Sequence, residues 1–128
     1  MARIILIVDD KAINREILKG TLKKDYDILE AKNGAEALEV MRANQNELSA
    51  VLLDIVMPVM DGYELLGIIR NDPSLSIIPI IMVTGSEDEQ SRIKALELGA
   101  SDFVTKPYSP DIIKHCLRNN IALRESSL

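Results

Sequence analysis

No tryptophan, one phenylalanine and three tyrosines occur among the 128 residues, so the interior must be assembled from Ile, Leu, Val, Ala and Met. The single cysteine, Cys116, excludes an internal disulfide. With one histidine, His115, there is also no Cys/His cluster to hold a soft metal. An excess of positive charge is missing too. The 15 Lys and Arg stand against 20 Asp and Glu, a net charge of −5, which argues against gripping a nucleic-acid backbone directly. No apolar run approaches the roughly 20 residues of a membrane span. The N-terminus carries Arg3 and then a short strand-like run, not a signal peptide, so a cytoplasmic location is the expectation. Linkers rich in Pro, Gly and Ser, low-complexity tracts and internal repeats are absent, which predicts one domain over residues 1–128.

What is present is enough apolar content to fold: 47% of the chain is hydrophobic, well above what a disordered segment carries. Short apolar runs alternate with helical patterns five times. Arg3–Val8, Tyr26–Ala31, Ala50–Leu53, Ile78–Val83 and Asp102–Thr105 are the predicted strands. The first, third and fourth are almost continuously apolar, as strands covered on both faces are. Helix signals fall between them. Asn33 with Glu36, and Ser86 with Glu89, resemble capping boxes. Gly99 stands where a left-handed residue ends a helix, and Ser109-Pro110 places a cap before a first-turn proline. The last helical pattern trails off in a polar tail, RNNIALRESSL, expected to be exposed. A stand-alone protein and a piece of a longer multidomain one both fit that ending. Strand–helix repeats with right-handed crossovers make a doubly wound α/β parallel sheet.

In such sheets ligands bind at the carboxyl ends of the strands. The first strand delivers Asp9 and Asp10 to that edge, the third Asp54, the fourth Thr84, and the fifth Lys106-Pro107. Taken singly, an Asp at a strand end is ordinarily a cap or turn former. Four strand ends each supplying a suitable group to one edge favour a common site over unrelated caps. Crowded carboxylates repel one another and call for a cation. All-oxygen ligands with an incomplete protein shell suit Mg²⁺. A carboxylate surrounded by a metal, a lysine and a hydroxyl can act as nucleophile toward a transferring phosphoryl group.

The segments VDD (Val8–Asp10), LLDIVMPVMDGYEL (Leu52–Leu65), VTGS (Val83–Ser86) and GASDFVTKP (Gly99–Pro107) occur in this order. With them the chain resembles the receiver (CheY-like) domain of two-component response regulators, from Arg3 to about Arg124. The resemblance implies a five-stranded sheet of order 2-1-3-4-5. It implies that Asp54 is the phosphoacceptor and that Mg²⁺ (or Mn²⁺) is held by Asp10, Asp54 and the Val56 backbone carbonyl, with Asp9 acting through water or helping to place the ion. Thr84 and Lys106 would contact phosphoryl oxygens, and the Lys106–Pro107 peptide would be cis. Thr84 and Phe103 would form the switch; a plain core aromatic is the alternative for Phe103. The implied partners are a sensor histidine kinase or phosphotransfer protein as donor, and an output domain or partner protein. The surface of the fourth helix, fifth strand and fifth helix would meet that partner, or a second copy. Such a protein catalyses only its own phosphorylation and dephosphorylation.

Two other classes compete. A haloacid-dehalogenase phosphatase would carry a DxDxT-like motif after the first strand, where Asp9-Asp10-Lys11-Ala12 stands instead. A flavin carrier would need a Ser/Thr/Gly-rich loop and flanking aromatics there. Asp61 fits a turn better than a ligand position. His115 is expected on a helix surface and Cys116 in the core as a small apolar residue.

Overall fold

The computed structural model describes residues 3–85 and 89–126. Alternation along the strands sets its layers. In β1 (Ile4–Val8), Ile5 and Ile7 join one hydrophobic cluster, Leu6 and Val8 the other. The same division recurs in β3 (Leu48–Leu53), β4 (Ile80–Thr84) and β5 (Asp102–Thr105), where Phe103 and Val104 point to opposite sides. Successive side chains on a strand face opposite ways, so apolar residues at consecutive positions demand helices on both faces. On one side lie α1 (Ala12–Leu22) and α5 (Pro110–Ser126). On the other lie α2 (Gly34–Ala43), α3 (Gly62–Asn71) and α4 (Glu89–Glu97). With β2 (Asp27–Ala31) at one edge, the order is β2-β1-β3-β4-β5, and every pairing is parallel.

The expected strands are present with shifted ends. β3 begins at Leu48, two residues before the expected Ala50. β4 begins at Ile80, not Ile78, because Pro79 has no N–H for a ladder; its carbonyl still accepts from Val51 N at 2.9 Å. Asn33 caps α2 by accepting from Glu36 N at 2.8 Å, while the Glu36 carboxylate accepts from Lys32 N. Ser109 Oγ accepts from Ile112 N at the start of α5, and Gly99 has φ of +103°. The Ser86 cap lies outside the described residues. Asp61 is the cap of α3, accepting from Glu64 N at 2.9 Å.

The polar tail is a correction. It is docked, not wholly exposed: Ile121 is buried, the Arg124 guanidinium donates to the Leu48 carbonyl, and Glu125 pairs with Arg3 at 2.9 Å. Cys116 is a second, smaller correction. It is half-buried at the rim of the cluster under α5, and its Sγ donates to Asp102 Oδ2 at 3.4 Å. Burial, reinforced by the Asp102 charge, raises its thiol to about 11, so it is a poor nucleophile at neutral pH. His115 is exposed on α5.

Local strain is concentrated in the β3–α3 connection. Met60 N donates to the Pro58 carbonyl at 2.8 Å, closing a three-residue turn around Val59 at φ of +69°. A β-branched residue is costly in that conformation, and the Val59 side chain is fully exposed, so no packing offsets the strain. Val59→Gly is therefore expected to stabilise the fold by about 1 kcal/mol, the left-handed penalty less the added chain entropy. An unchanged or lower urea midpoint would contradict this.

Candidate functional site

Ladder hydrogen bonds continue past the strand ends and set the site side by side. Asp9 N donates to the Ala31 carbonyl at 3.1 Å, Asp54 N to Val8 O at 3.0 Å, and Lys106 N to Thr84 O at 2.8 Å. The loops leaving β1, β3 and β5 thus present Asp9 and Asp10, Asp54 and Lys106 at the carboxyl edge, with Thr84 as the last residue of β4. Asp9, Asp54 and Thr84 are the buried polar residues of the described chain.

One carboxylate oxygen from each of Asp9, Asp10 and Asp54 lies within 4.8 Å of the others. Lys106 Nζ is 3.6 Å from Asp9 Oδ2 and 3.9 Å from Asp54 Oδ2, and the peptide that follows it, Lys106–Pro107, is cis. At about 4 Å and the effective dielectric of a protein surface, a pair of unit charges interacts by roughly 4 kcal/mol. Three mutually close carboxylates facing one ammonium leave an uncompensated excess of negative charge. A separate effect acts on Asp54, whose carboxyl is pushed above the ordinary range chiefly by burial. The Asp9 charge adds to the shift, while Lys106 and the N–H groups of Val56 and Ile55 oppose it. Burial, with Asp9 nearby, also raises the Tyr108 phenol.

The three acids differ in what already holds them. Asp9 is fixed on every side: Oδ1 accepts from Lys11 N at 2.9 Å, Oδ2 faces Lys106, and its backbone carbonyl accepts from Arg15 Nη1 at 2.8 Å. Asp54 is held more loosely: its Oδ1 receives a long 3.4 Å contact from Val56 N, with the Ile55 N–H also nearby. Asp10 Oδ1 is buried without any hydrogen-bond partner. A buried carboxylate oxygen without a donor is costly, and Asp10 also belongs to an all-oxygen cluster of three acids. Those features fit a hard divalent cation such as Mg²⁺.

Glycines allow the close approach. A Cβ on Gly62 would press into the Asp54 carbonyl oxygen and lie 2.7 Å from Ile55 Cα. Gly62 N donates to Ile55 O at 2.8 Å, so the start of α3 is seated on the backbone of the central aspartate. A Cβ on Gly34 would meet the Met60 side chain, which ties the same loop to α2. Phe103 is buried against the α2–α3–α4 side, with the Arg92 guanidinium 5.4 Å above its ring.

The family model of the response regulator receiver domain matches residues 5–118. The chain belongs to the response regulator receiver domain family. A Clostridium thermocellum response regulator receiver domain protein of known structure superposes with a TM-score of 0.91 at 26% identity, covering 100% of both chains. The Guillardia theta protein named "Probable transcriptional regulator ycf27" is 44% identical over 115 residues, 89% of this chain and 43% of its own. The Helicobacter pylori sensor histidine kinase CheAY is 34% identical over 94% of this chain and 15% of its own length. The receiver thus spans under half the length of these curated relatives, which include both regulators and kinases of two-component systems. Its order of strands is the expected 2-1-3-4-5. Receiver domains generally bind Mg²⁺ at an acidic pocket, and this chain carries a cluster of three acids, Asp9, Asp10 and Asp54, at the carboxyl edge of its sheet. Among the described residues no helix is long and apolar enough to cross a membrane.

Proposed function

We propose that this receiver takes a phosphoryl group on Asp54 from a sensor histidine kinase or a phosphotransfer protein in a Mg²⁺-dependent reaction. The signal then passes through the α4–β5–α5 surface to an output domain, a partner protein or a second copy. The observation that carries this reading is the Asp9–Asp10–Asp54 cluster, within 4.8 Å, with Lys106 against two of its members.

Asp10, with its unpartnered oxygen, is the direct ligand together with Asp54 and the Val56 carbonyl; Asp9, already held, acts through water. When bound, Mg²⁺ (or Mn²⁺) neutralises charge on the transferring phosphoryl group and on the crowded acids. An Asp54 oxygen attacks phosphorus, the donor P–N bond breaks, and its electron pair returns to the imidazole. The product is an acyl phosphate. Lys106 pairs with one phosphoryl oxygen, and the Thr84 hydroxyl moves to hydrogen-bond another. Phe103, whose ring is already buried in this structure, responds to that movement by repacking, biasing a two-state surface on α4, β5 and α5. Water attacking the acyl phosphate resets the site. The chain acts on itself and turns over no separate substrate.

Acetyl phosphate with Mg²⁺ tests this. Expected is one hydroxylamine-labile phosphoryl group per chain, absent in Asp54→Asn and absent in EDTA. Labelling that survives in Asp54→Asn would overturn the assignment.

A further inference from the structure

Arg15 takes no part in the phosphoryl transfer, yet it reaches the acidic edge from behind. It lies on α1 with its side chain only 17% exposed. Its Nη1 donates to the Asp9 carbonyl at 2.8 Å, while its Nε donates to Glu30 Oε1 on β2 at 3.1 Å. The other Glu30 oxygen is 3.7 Å from Lys19 Nζ. The Asp9 carbonyl belongs to the peptide that joins Asp9 to Asp10. On the other side of Asp9, its N–H is fixed to Ala31 O at 3.1 Å. The plane of the Asp9–Asp10 peptide, and with it the direction in which the Asp10 side chain leaves the backbone, is therefore set by one guanidinium. That guanidinium is in turn set by Glu30.

We infer that Arg15 is a positioning residue for the divalent-cation site: its fork, oriented by Glu30, fixes the backbone from which the Asp10 carboxylate reaches the cluster. The inference rests on the proposed Mg²⁺ function of that cluster. Groups that hold metal ligands in place typically change affinity by about 10–100-fold when removed. Only a planar fork makes both bonds at once. A lysine keeps the charge but supplies a point donor.

The sign of the effect separates positioning from simple electrostatics. Arg15 is a cation near a cation site, so if it acted through charge alone, removing it would tighten Mg²⁺ binding, and a lysine would leave binding unchanged. Positioning gives the opposite pattern. The test is calorimetric titration of Mg²⁺ into the wild-type chain, Arg15→Lys and Arg15→Met, each confirmed folded by circular dichroism. Lys24→Met, at an exposed position, serves as a surface control. Expected is weakening of about 10-fold in Arg15→Lys, at least as much in Arg15→Met, and no change in Lys24→Met. Glu30→Gln, which keeps the shape of the partner, is expected to weaken binding by less, and provides the reading if the Arg15 variants fail to fold. With acetyl phosphate, the loss is expected in the Mg²⁺ concentration needed for half-maximal labelling, while the rate at saturating Mg²⁺ stays near wild type. Wild-type affinity in Arg15→Lys, or tighter binding in Arg15→Met, would overturn the inference. If only Glu30→Gln folds, wild-type affinity there does the same. A wild-type chain that binds no Mg²⁺ would instead overturn the functional reading on which it rests.

Discussion

Gly62→Ala is expected to cost about 3 kcal/mol of stability, the upper range for overpacking, and to abolish labelling of Asp54. The added carbon would meet backbone, not the yielding end of a side chain: the Asp54 carbonyl oxygen and Ile55 Cα. Either α3 moves away, breaking the 2.8 Å bond from Gly62 N to Ile55 O, or the segment carrying Asp54 is pushed out of register with Asp9 and Lys106. Both outcomes disperse the cluster. A control sits on the same helix. Gly67 lies in the interior of α3, and a Cβ added there would meet nothing within 4 Å. Gly67→Ala is therefore expected to stabilise by about 1 kcal/mol through helix propensity. Urea unfolding of the two variants checks both signs. A Gly62→Ala protein as stable and as readily labelled as wild type would show that the close approach does not matter.

The second large effect comes from removing charge. In metal-free solution Asp54→Asn is expected to be more stable than wild type at neutral pH, because burial disfavours the ionised carboxylate that the wild-type folded chain must carry there. The pH dependence follows from the raised Asp54 carboxyl. Below the ordinary value of 3.8 the group is protonated in both folded and unfolded chains and contributes nothing. As pH rises past that value the unfolded chain releases its proton first, so the folded state loses stability until its own, higher value is passed. Wild type and Asp54→Asn are thus expected to converge in acid and to separate as pH rises through that window. Under the proposed function, Mg²⁺ is expected to raise the stability of wild type and not of Asp54→Asn, by about 2.7 kcal/mol at a hundred times the dissociation constant. Parallel curves for the two proteins across this pH range would contradict the charge argument.

The parts of this molecule that are legible in the sequence are those set by local pattern. Strand type follows from apolar runs interleaved with helical periodicity, the order of strands in the sheet from the resemblance to receiver domains, and the caps at Asn33 and Ser109 are chemistry within a few residues. The acidic cluster is legible for a related reason: in a parallel sheet every strand points the same way, so residues just past strand ends share an edge. Long-range contacts of single side chains leave no such trace. Arg124 finds the Leu48 carbonyl across 76 positions and Arg3 finds Glu125 across 122, so a tail that looks merely polar is in fact anchored. Arg70 is the clearest case. Half-buried, with burial lowering its pKa, it donates to the carbonyls of Ser76, Ile78 and Gly99 and to Ser101 Oγ. It thereby ties the end of α3 to the approach to β4 and the turn before β5. Its partners are mostly backbone carbonyls, which every residue type carries, so no motif marks them. Arg15, bonded to the Asp9 carbonyl, is silent in the sequence for the same reason.

At the centre of the proposed function stand three carboxylates that the protein alone does not neutralise. Thermal unfolding of the wild-type chain and of Asp10→Asn, with EDTA and with millimolar Mg²⁺, tests this most directly. The predicted result is a melting temperature that rises with Mg²⁺ in wild type, and in Asp10→Asn a higher metal-free value with little response to the ion. A wild-type protein indifferent to Mg²⁺, or an Asp10→Asn variant that responds as strongly as wild type, would contradict it.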